Sequence, residues 1–199
     1  RQIGSGGSEI GMEVAKRLGI RCYDKQLIEL ACNYGELDQD VLAAAEEKRP
    51  NPFLYSVPRQ MQNDKTGRGI AINDMVFNVQ SEVIRQLAEK ESCVIIGRCA
   101  DYVLKDRPNT ISVFLKAEMQ SKVERAVKYY GVDPQKAEDR IRKADKQRAS
   151  YYNYYATATW GDVNNYDLCV DTGKLGVEGT AELIARFVEL RQAMLEAKK

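Results

Sequence analysis

The sequence predicts one α/β domain in which a mostly parallel sheet lies between two layers of helices. Three observations support this fold class. Short apolar runs of strand length alternate with longer segments of helical periodicity, an order that is typical of parallel sheets. A glycine-rich turn precedes the first amphipathic segment. The chain has 199 residues, enough for one such domain and too few for two of ordinary size.

The first elements follow the glycine-rich turn at residues 4–7. In the helix predicted after it, the apolar residues share one face: Ile10, Val14, Ala15 and Leu18. Gly19 ends this helix, because glycine is favoured just past a helix C-terminus. A strand is predicted at 20–24 and a second helix at 25–34, so the alternation of helix and strand is already established.

Residues 35–69 form a different kind of segment. They are polar, their periodicity is weak, and they hold three of the five prolines of the chain. One short helix is predicted near 39–47. This composition is typical of an insertion that is loosely packed and able to move.

The second half of the chain returns to regular alternation. The predicted helices have apolar residues at helical spacing and lie at 76–87, 119–130, 133–150 and 178–195. The predicted strands are short apolar runs at 92–96, 110–115 and 166–171. Asp133 followed by Pro134 marks one helix start, because aspartate is a good N-cap and proline suits the first helical position.

Composition excludes several kinds of site. The sequence has no histidine, so it excludes histidine-based catalytic triads, a histidine general base and histidine-ligated metals. Its five cysteines form no CxxC pair and predict reduced, buried thiols. The net charge of +1 argues against nucleic acid and membrane surfaces as partners. With no apolar run of membrane-spanning length and no signal peptide visible, we expect a cytoplasmic protein.

The glycine-rich turn is the first candidate site. The run from Gly4 to Gly11 reads GSGGSEIG and leads into a helix. Glycines let backbone N–H groups approach an anion, and a helix N-terminus favours negative charge, so the turn predicts a phosphate site. A plain flexible turn is the alternative. The run lacks the lysine of a Walker motif, and Glu9 stands where a dinucleotide-binding turn has its third glycine.

Five segments, taken in chain order, resemble the cytidylate kinase-like family, an atypical branch of the P-loop nucleoside monophosphate kinases. They are RQIGSGGSEIG at 1–11, CYD at 22–24, VIIGRCAD at 94–101, WGD at 160–162 and YDLCVDT at 166–172. The resemblance implies a three-layer P-loop kinase-like fold with a first strand missing before Arg1. It also implies ATP with Mg²⁺ as phosphate donor and CMP or dCMP as acceptor.

For the donor, the resemblance implies a phosphate loop formed by Gly4, Ser5, Gly6, Gly7, Ser8 and Glu9. Gly7 stands where ordinary monophosphate kinases have the Walker lysine, and Glu9 where they have the metal-binding hydroxyl. Ser5 or Ser8 would then hold Mg²⁺. Asp171 and Thr172, at the end of the last predicted strand, would lie near the adenine pocket.

For the acceptor, the resemblance implies a clamp made by two arginines. Arg98 follows a buried strand, at the end of the sheet where α/β folds bind ligands, and would hold the acceptor phosphate. Asp145 and Arg148 resemble the Asp-x-x-Arg pair that holds sugar and phosphate. Asp24 would bind the sugar, and the insertion, at about 35–75, would cover the acceptor. The alternatives are helix-capping roles for Arg98 and Asp24.

A helical lid is predicted at about 131–160. Arg140, Arg142 and Arg148 crowd one charged helix, and with Arg125 on the preceding helix they would close over the phosphates and replace the missing lysine. The alternative is a solvated helix face. Tyrosines follow directly at 151–155, where a packed anchor for the lid is favoured over base stacking.

The sequence thus predicts a phosphotransferase that uses small nucleotides. Two alternatives stay open. One is a kinase for another small acceptor, such as a different monophosphate, a nucleoside or a shikimate-like alcohol. The other is a nucleotide-binding regulatory protein without turnover, which Gly7 at the lysine position favours.

Overall fold

A computed structural model describes residues 1–24 and 68–197. Both helices predicted between 25 and 47, and most of the predicted insertion at 35–75, lie outside the described residues. The described helices are α1 (Gly7–Leu18), α2 (Arg68–Lys90), α3 (Ala100–Val103), α4 (Met119–Tyr130), α5 (Pro134–Tyr155) and α6 (Thr172–Glu196). The described strands are β1 (Arg21–Tyr23), β2 (Cys93–Ile95), β3 (Val113–Lys116) and β4 (Leu168–Asp171). None of these helices is both long and apolar enough to cross a bilayer.

The described strands are parallel and form two pairs. Cys22 of β1 lies opposite Val94 of β2, and Phe114 of β3 lies opposite Cys169 of β4. The predicted α/β class with parallel strands is therefore confirmed. Where the sequence predicted one sheet, the described strands form two separate two-stranded sheets. The three-layer arrangement stays a prediction.

Helix α1 connects the two strand pairs through one core. Its buried Ile10 and Val14 form a cluster with Leu115 of β3 and Val170 of β4, and Val94 of β2 packs against the same cluster. Burying a side chain of this size contributes about 1.5–3 kcal/mol. The N-terminus of α1 is thus fixed relative to strands of both pairs.

Helix α6 starts at Thr172, earlier than the predicted 178. Asp171 caps it, because its carboxylate accepts a hydrogen bond from the N–H of Gly173 at 3.0 Å. A kink at Gly176, whose φ of 65° is left-handed, separates the first turn from the rest. The apolar periodicity restarts after this kink, which is why the sequence pattern predicted only the longer, second part.

Helix α5 continues to Tyr155, beyond the predicted end near 150. Its last turns are held by aromatic contacts. Tyr152 is buried and its hydroxyl donates to Asp101 of α3 at 2.6 Å. Phe77 of α2 stacks on Tyr155, with ring centroids 4.1 Å apart. These contacts account for the tyrosine-rich segment by packing and extend the helix past its apolar pattern.

The first half of α5 packs on α4 and on the start of the chain. Ala137 and Ile141 are fully buried, in a cluster with Ala126 of α4 and Ile3. The segment 131–160, which the sequence predicts to be a lid, is held in part by this cluster. Its movement stays a prediction.

Candidate functional site

The glycine loop, residues 4–9, turns the start of the chain into α1. Gly4 and Gly6 have φ of 74° and 72°, in the left-handed region that glycine adopts without strain. A Cβ on Gly4 would lie 3.0 Å from Cβ of Lys122, and one on Gly6 would lie 3.1 Å from Cζ of Arg125. Both glycines thus permit a close approach to α4. The first N–H groups of α1, which have no partner within the helix, follow directly.

A depression opens at this loop. It is lined by residues 1–9 apart from Ser5, and by Tyr130 and Arg148. Backbone amides at a helix N-terminus attract anions, and here guanidinium groups border them. The depression therefore has the chemistry of an anion site.

Three arginines lie close enough for their charges to affect one another, and two of them, Arg1 and Arg148, line the depression. Arg148 donates from Nη1 to the carbonyl oxygen of Arg1 at 3.1 Å. Burial lowers the pKa of the Arg148 guanidinium to about 10, and the positive charges of Arg1 and Arg98 contribute. Burial likewise lowers the pKa of Arg1. Clustered cations that are partly withdrawn from water are stabilised by a bound anion.

Asp24 stands at the end of β1, beside the loop. The hydroxyl of Ser8 donates to Asp24 Oδ2 at 3.1 Å, and Arg1 Nη2 lies 3.7 Å from the same oxygen. The Asp24 side chain is 39% exposed, so it is open to a ligand. The alternative role, capping a helix at 25–34, lies outside the described residues.

Arg98 is held by an unusual backbone at the carboxyl end of β2. Gly97, Arg98 and Cys99 have φ of 75°, 59° and 54°, all left-handed. Such a conformation costs a non-glycine residue about 1–3 kcal/mol and is found most often at functional sites. Cys99 is buried, and burial raises the pKa of its thiol to about 12, so the thiol stays protonated. The short helix α3, which the sequence did not predict, begins directly after this turn.

Two of the predicted lid arginines, Arg140 and Arg142, do not line the depression. Arg140 is exposed, and Arg142 is exposed and pairs with Glu138 on its own helix at 2.6 Å. Both have the surroundings of a solvated helix face. Their predicted role at the phosphates would require α5 to move, and it stays a prediction.

Arg125 and Glu9 form an ion pair against the glycine loop. Arg125 Nη2 lies 2.8 Å from Glu9 Oε1, and the same oxygen accepts from the hydroxyl of Tyr130 at 3.0 Å. Arg125 also contacts Gly6, as described above. The pair therefore links α1 to α4 behind the loop, which is a supporting position.

Asp145 also supports the loop. Its Oδ1 accepts from the N–H of Ile3 at 2.7 Å, and its Oδ2 accepts from Lys122 Nζ at 2.9 Å. Lys122 is 5% exposed, so this is a largely buried ion pair. Asp145 thus connects α5 and α4 to the residue before Gly4. Its predicted role at the acceptor sugar stays a prediction.

Asp171 and Thr172 build the junction of β4 and α6. Besides capping α6, Asp171 lies 3.4 Å from Lys116 Nζ, and Thr172 donates from its hydroxyl to the Lys116 carbonyl at 3.2 Å. These bonds hold the carboxyl ends of β3 and β4 together. Adenine binding at this junction stays a prediction.

Comparison with known proteins identifies the family. The model of the cytidylate kinase-like family matches residues 1–174, most of the chain. The chain belongs to the cytidylate kinase-like family. The resemblance inferred from the five sequence segments is thereby confirmed.

Similarity to individual proteins supports this family assignment. A cytidylate kinase of Archaeoglobus fulgidus is 25% identical over 98% of this chain and 95% of its own length. A cytidylate kinase of Pyrococcus abyssi is 29% identical over 53% of this chain and 58% of its own length. The crystal structure of an uncharacterized protein from Eubacterium ventriosum superimposes with a TM-score of 0.70 and 31% identity, covering 95% of this chain and 94% of that one. The names of the relatives indicate a kinase.

In this family member, the two serines predicted to hold Mg²⁺ differ in their surroundings. Ser5 is 2% exposed and its hydroxyl donates to the Gln2 carbonyl at 2.8 Å, so it is poorly placed for a metal. Ser8 and Asp24 present two oxygens 3.1 Å apart beside the loop, where the Arg1 guanidinium also lies near them. Mg²⁺ usually takes one or two protein oxygens together with phosphates and water, which fits this pair. Among the described residues, no group of three or more acidic or cysteine side chains forms a fuller metal site.

Three residues at the site of this family member were not predicted from the sequence. Arg1 borders the depression, Tyr130 lines it, and Lys122 supports it from α4. Arg1 stood inside a matched segment but had no role assigned. The sequence does contain a signal for Arg1, because this charged residue lies just before a loop that lacks the usual lysine.

Proposed function

We propose that this protein is a nucleoside monophosphate kinase that transfers the γ-phosphoryl group of ATP to CMP or dCMP. The observation that carries the proposal is the arrangement at the glycine loop. Arg148 lines the depression there, Asp24 accepts a hydrogen bond from Ser8 of the loop, and Arg98 lies near enough for its charge to act on Arg148. Backbone amides bordered by guanidinium groups suit ligands that carry phosphate. The family and the archaeal relatives are named for the same reaction.

In this proposal the donor lies along the glycine loop. Its phosphates accept hydrogen bonds from the loop and from the first amides of α1, and its adenine lies toward Asp171 and Thr172. Mg²⁺, when bound, neutralises charge on the phosphates, and Ser8 with Asp24 is the pair that fits it. Glu9 and Asp145 hold the loop in place through Arg125 and through Ile3.

The acceptor lies beside β1 and β2. Arg98 and Arg148 clamp its phosphate, and Asp24 reaches its sugar. Guanidinium groups suit this role because they bind phosphate through two parallel hydrogen bonds. Closure of 131–160 brings Arg140 and Arg142 toward the phosphates.

The chemistry asks little of the side chains beyond positioning. A bond forms between the γ-phosphorus and a phosphate oxygen of the acceptor. The bond from the γ-phosphorus to the bridging oxygen breaks, and its electron pair leaves with ADP. The acceptor phosphate is already ionised at neutral pH, so no general base is required. A chain without histidine is suited to such an acceptor.

A second candidate function is nucleotide binding without turnover. The observation that favours it is Gly7, which leaves the donor phosphates without the lysine of ordinary P-loop kinases. Under this alternative ATP would bind tightly and no phosphoryl group would move. The same arginines would then act as a nucleotide sensor.

A coupled ADP-release assay tests the proposal. The protein is incubated with Mg-ATP and each common nucleoside monophosphate, and the product is identified by chromatography. We expect turnover with CMP and dCMP well above that with AMP, GMP and UMP. Turnover with a different monophosphate or with a nucleoside would show that the acceptor is that compound and not CMP or dCMP. ATP binding by calorimetry with no transfer to any acceptor would favour the second candidate.

A further inference from the structure

Arg1 fills the space that Gly7 leaves above the glycine loop. A Cβ built on Gly7 would lie 2.4 Å from Cδ of Arg1 and 3.3 Å from its Cβ and Cγ. At its far end, Arg1 Nη1 lies 3.4 Å from where a Cβ on Gly97 would be. The side chain therefore extends across the start of α1, from Gly7 to the turn that holds Arg98. A side chain at Gly7 would displace it.

The guanidinium of Arg1 carries charge that its neighbours only partly balance. Arg1 Nη2 donates to the hydroxyl of Ser8 at 3.2 Å, and its ion-pair partner is Asp24, at the longer distance of 3.7 Å. Arg98 and Arg148 add positive charge nearby. The Arg1 side chain is 18% exposed, so it is partly withdrawn from water and yet borders the depression.

The other carboxylates near the loop have closer cationic partners. Glu9 lies 2.8 Å from Arg125, and Asp145 lies 2.9 Å from Lys122. Each of these ion pairs is shorter than that of Arg1 with Asp24. An added anion would therefore interact most favourably with Arg1 and the arginines beside it.

We propose that Arg1 is the cation that contacts the donor phosphates at the glycine loop, from the place where Gly7 has no side chain. The inference rests on the proposed function and names a residue for it. Arg1 is better placed for this than Arg140 and Arg142, which are exposed on α5. Its planar guanidinium offers paired donors to phosphate oxygens, where a lysine offers a point charge.

The first test is ligand binding by calorimetry, which does not depend on turnover. We expect Arg1→Met, which keeps an unbranched apolar stem and removes the charged guanidinium, to weaken binding of ATP by about 10- to 100-fold. Binding of CMP should change less than about threefold, because Arg98 and Arg148 serve the acceptor. The control is Arg186→Met on α6, where an exposed arginine pairs with Glu189 at 2.9 Å. It should bind both ligands like the parent.

The second test replaces Arg1 and introduces a lysine at Gly7 of the glycine loop. Arg1→Ala should lower kcat by about 10²-fold. The double variant Arg1→Ala/Gly7→Lys has room for a lysine where the arginine was, and it should regain at least about tenfold of that loss. Gly7→Lys alone should be less active than the parent, because the new side chain and Arg1 compete for the same space.

The outcomes separate this inference from the proposed function. If the parent turns over and Arg1→Met binds ATP and turns over like the parent, the Arg1 role is wrong and the kinase stands. If the parent transfers phosphate to no acceptor, the kinase proposal is wrong, and Arg1 is judged by the ATP binding of Arg1→Met alone. Equal losses for ATP and CMP overturn the donor assignment. Should Arg1→Met not fold, as judged by circular dichroism, the double variant decides: a folded protein without recovered ATP binding overturns the proposal.

Discussion

Gly6 and Gly19 flank α1 with nearly the same backbone conformation and different surroundings. Their φ values are 72° and 65°, so any other residue at either position is strained. Gly6 is also packed against Arg125, whereas a Cβ on Gly19 would meet nothing within 4 Å. The two positions therefore separate the cost of a left-handed backbone from the cost of filling the site.

This pair gives a prediction at the scale of single residues. Gly19→Ala should lower the free energy of unfolding by about 1–2 kcal/mol, measured by urea denaturation, and Gly6→Ala should lower it further because its Cβ also meets Arg125. Gly6→Ala should in addition abolish ATP binding, because the new Cβ pushes on Arg125 and shifts the loop. Gly19→Ala should bind ATP like the parent. Unchanged ATP affinity in Gly6→Ala would refute the anion site at the glycine loop.

Asp167 ties three elements together at the scale of secondary structure. Its carboxylate accepts from the backbone N–H of Ser112, just before β3, at 2.8 Å, and from Arg191 of α6 at 2.6 Å. It directly precedes β4. Burial on its own would raise the pKa of Asp167, but the hydrogen bonds from Ser112 and the hydrogen bond and charge of Arg191 outweigh it, so the pKa lies below its usual value.

The lowered pKa of Asp167 predicts that acid reduces the free energy of unfolding through this group. The ionised carboxylate is stabilised in the folded state, so its contribution is fully present above pH 4 to 5 and is lost as the pH falls through the lowered pKa. We expect Asp167→Asn to reduce the free energy of unfolding by about 1 kcal/mol at pH 7, because the group is partly exposed. As the pH falls through the lowered pKa of Asp167, the variant and the parent should converge.

Urea titrations at several pH values measure this difference. The matched control is Asp139→Asn, at an exposed aspartate on α5. It should follow the parent across the whole pH range. A difference between Asp167→Asn and the parent that stays constant down to pH 2 would contradict the assigned role of the carboxylate.

The elements that the sequence predicted best are those with a local signal. α4 matches its predicted range of 119–130, since its apolar spacing and the glycine after it lie within a few residues. The end of α5 was missed because Tyr152 and Tyr155 are held by residues of α3 and α2, which are distant in sequence. The start of α6 was missed because Gly176 interrupts its periodicity.

At the scale of the whole molecule, the site could be predicted only where a motif marked it. The glycine loop and Arg98 carry such marks, in glycine spacing and in the strand before Arg98. The position of Arg1 depends on an empty volume over Gly7, and that of Lys122 on a buried pair with Asp145. Packing around α1, α4 and α5 decides both positions, and no pattern along the sequence indicates this packing.

At the left-handed turn Gly97–Cys99, thermal stability and the proposed function favour different residues. Arg98→Gly would relieve a strained backbone and should raise the free energy of unfolding by about 1 kcal/mol, while removing the guanidinium that we propose holds the acceptor phosphate. A screen that rewards only survival at high temperature would therefore tend to discard Arg98. A selection for more stable variants should therefore require turnover as well as resistance to heat.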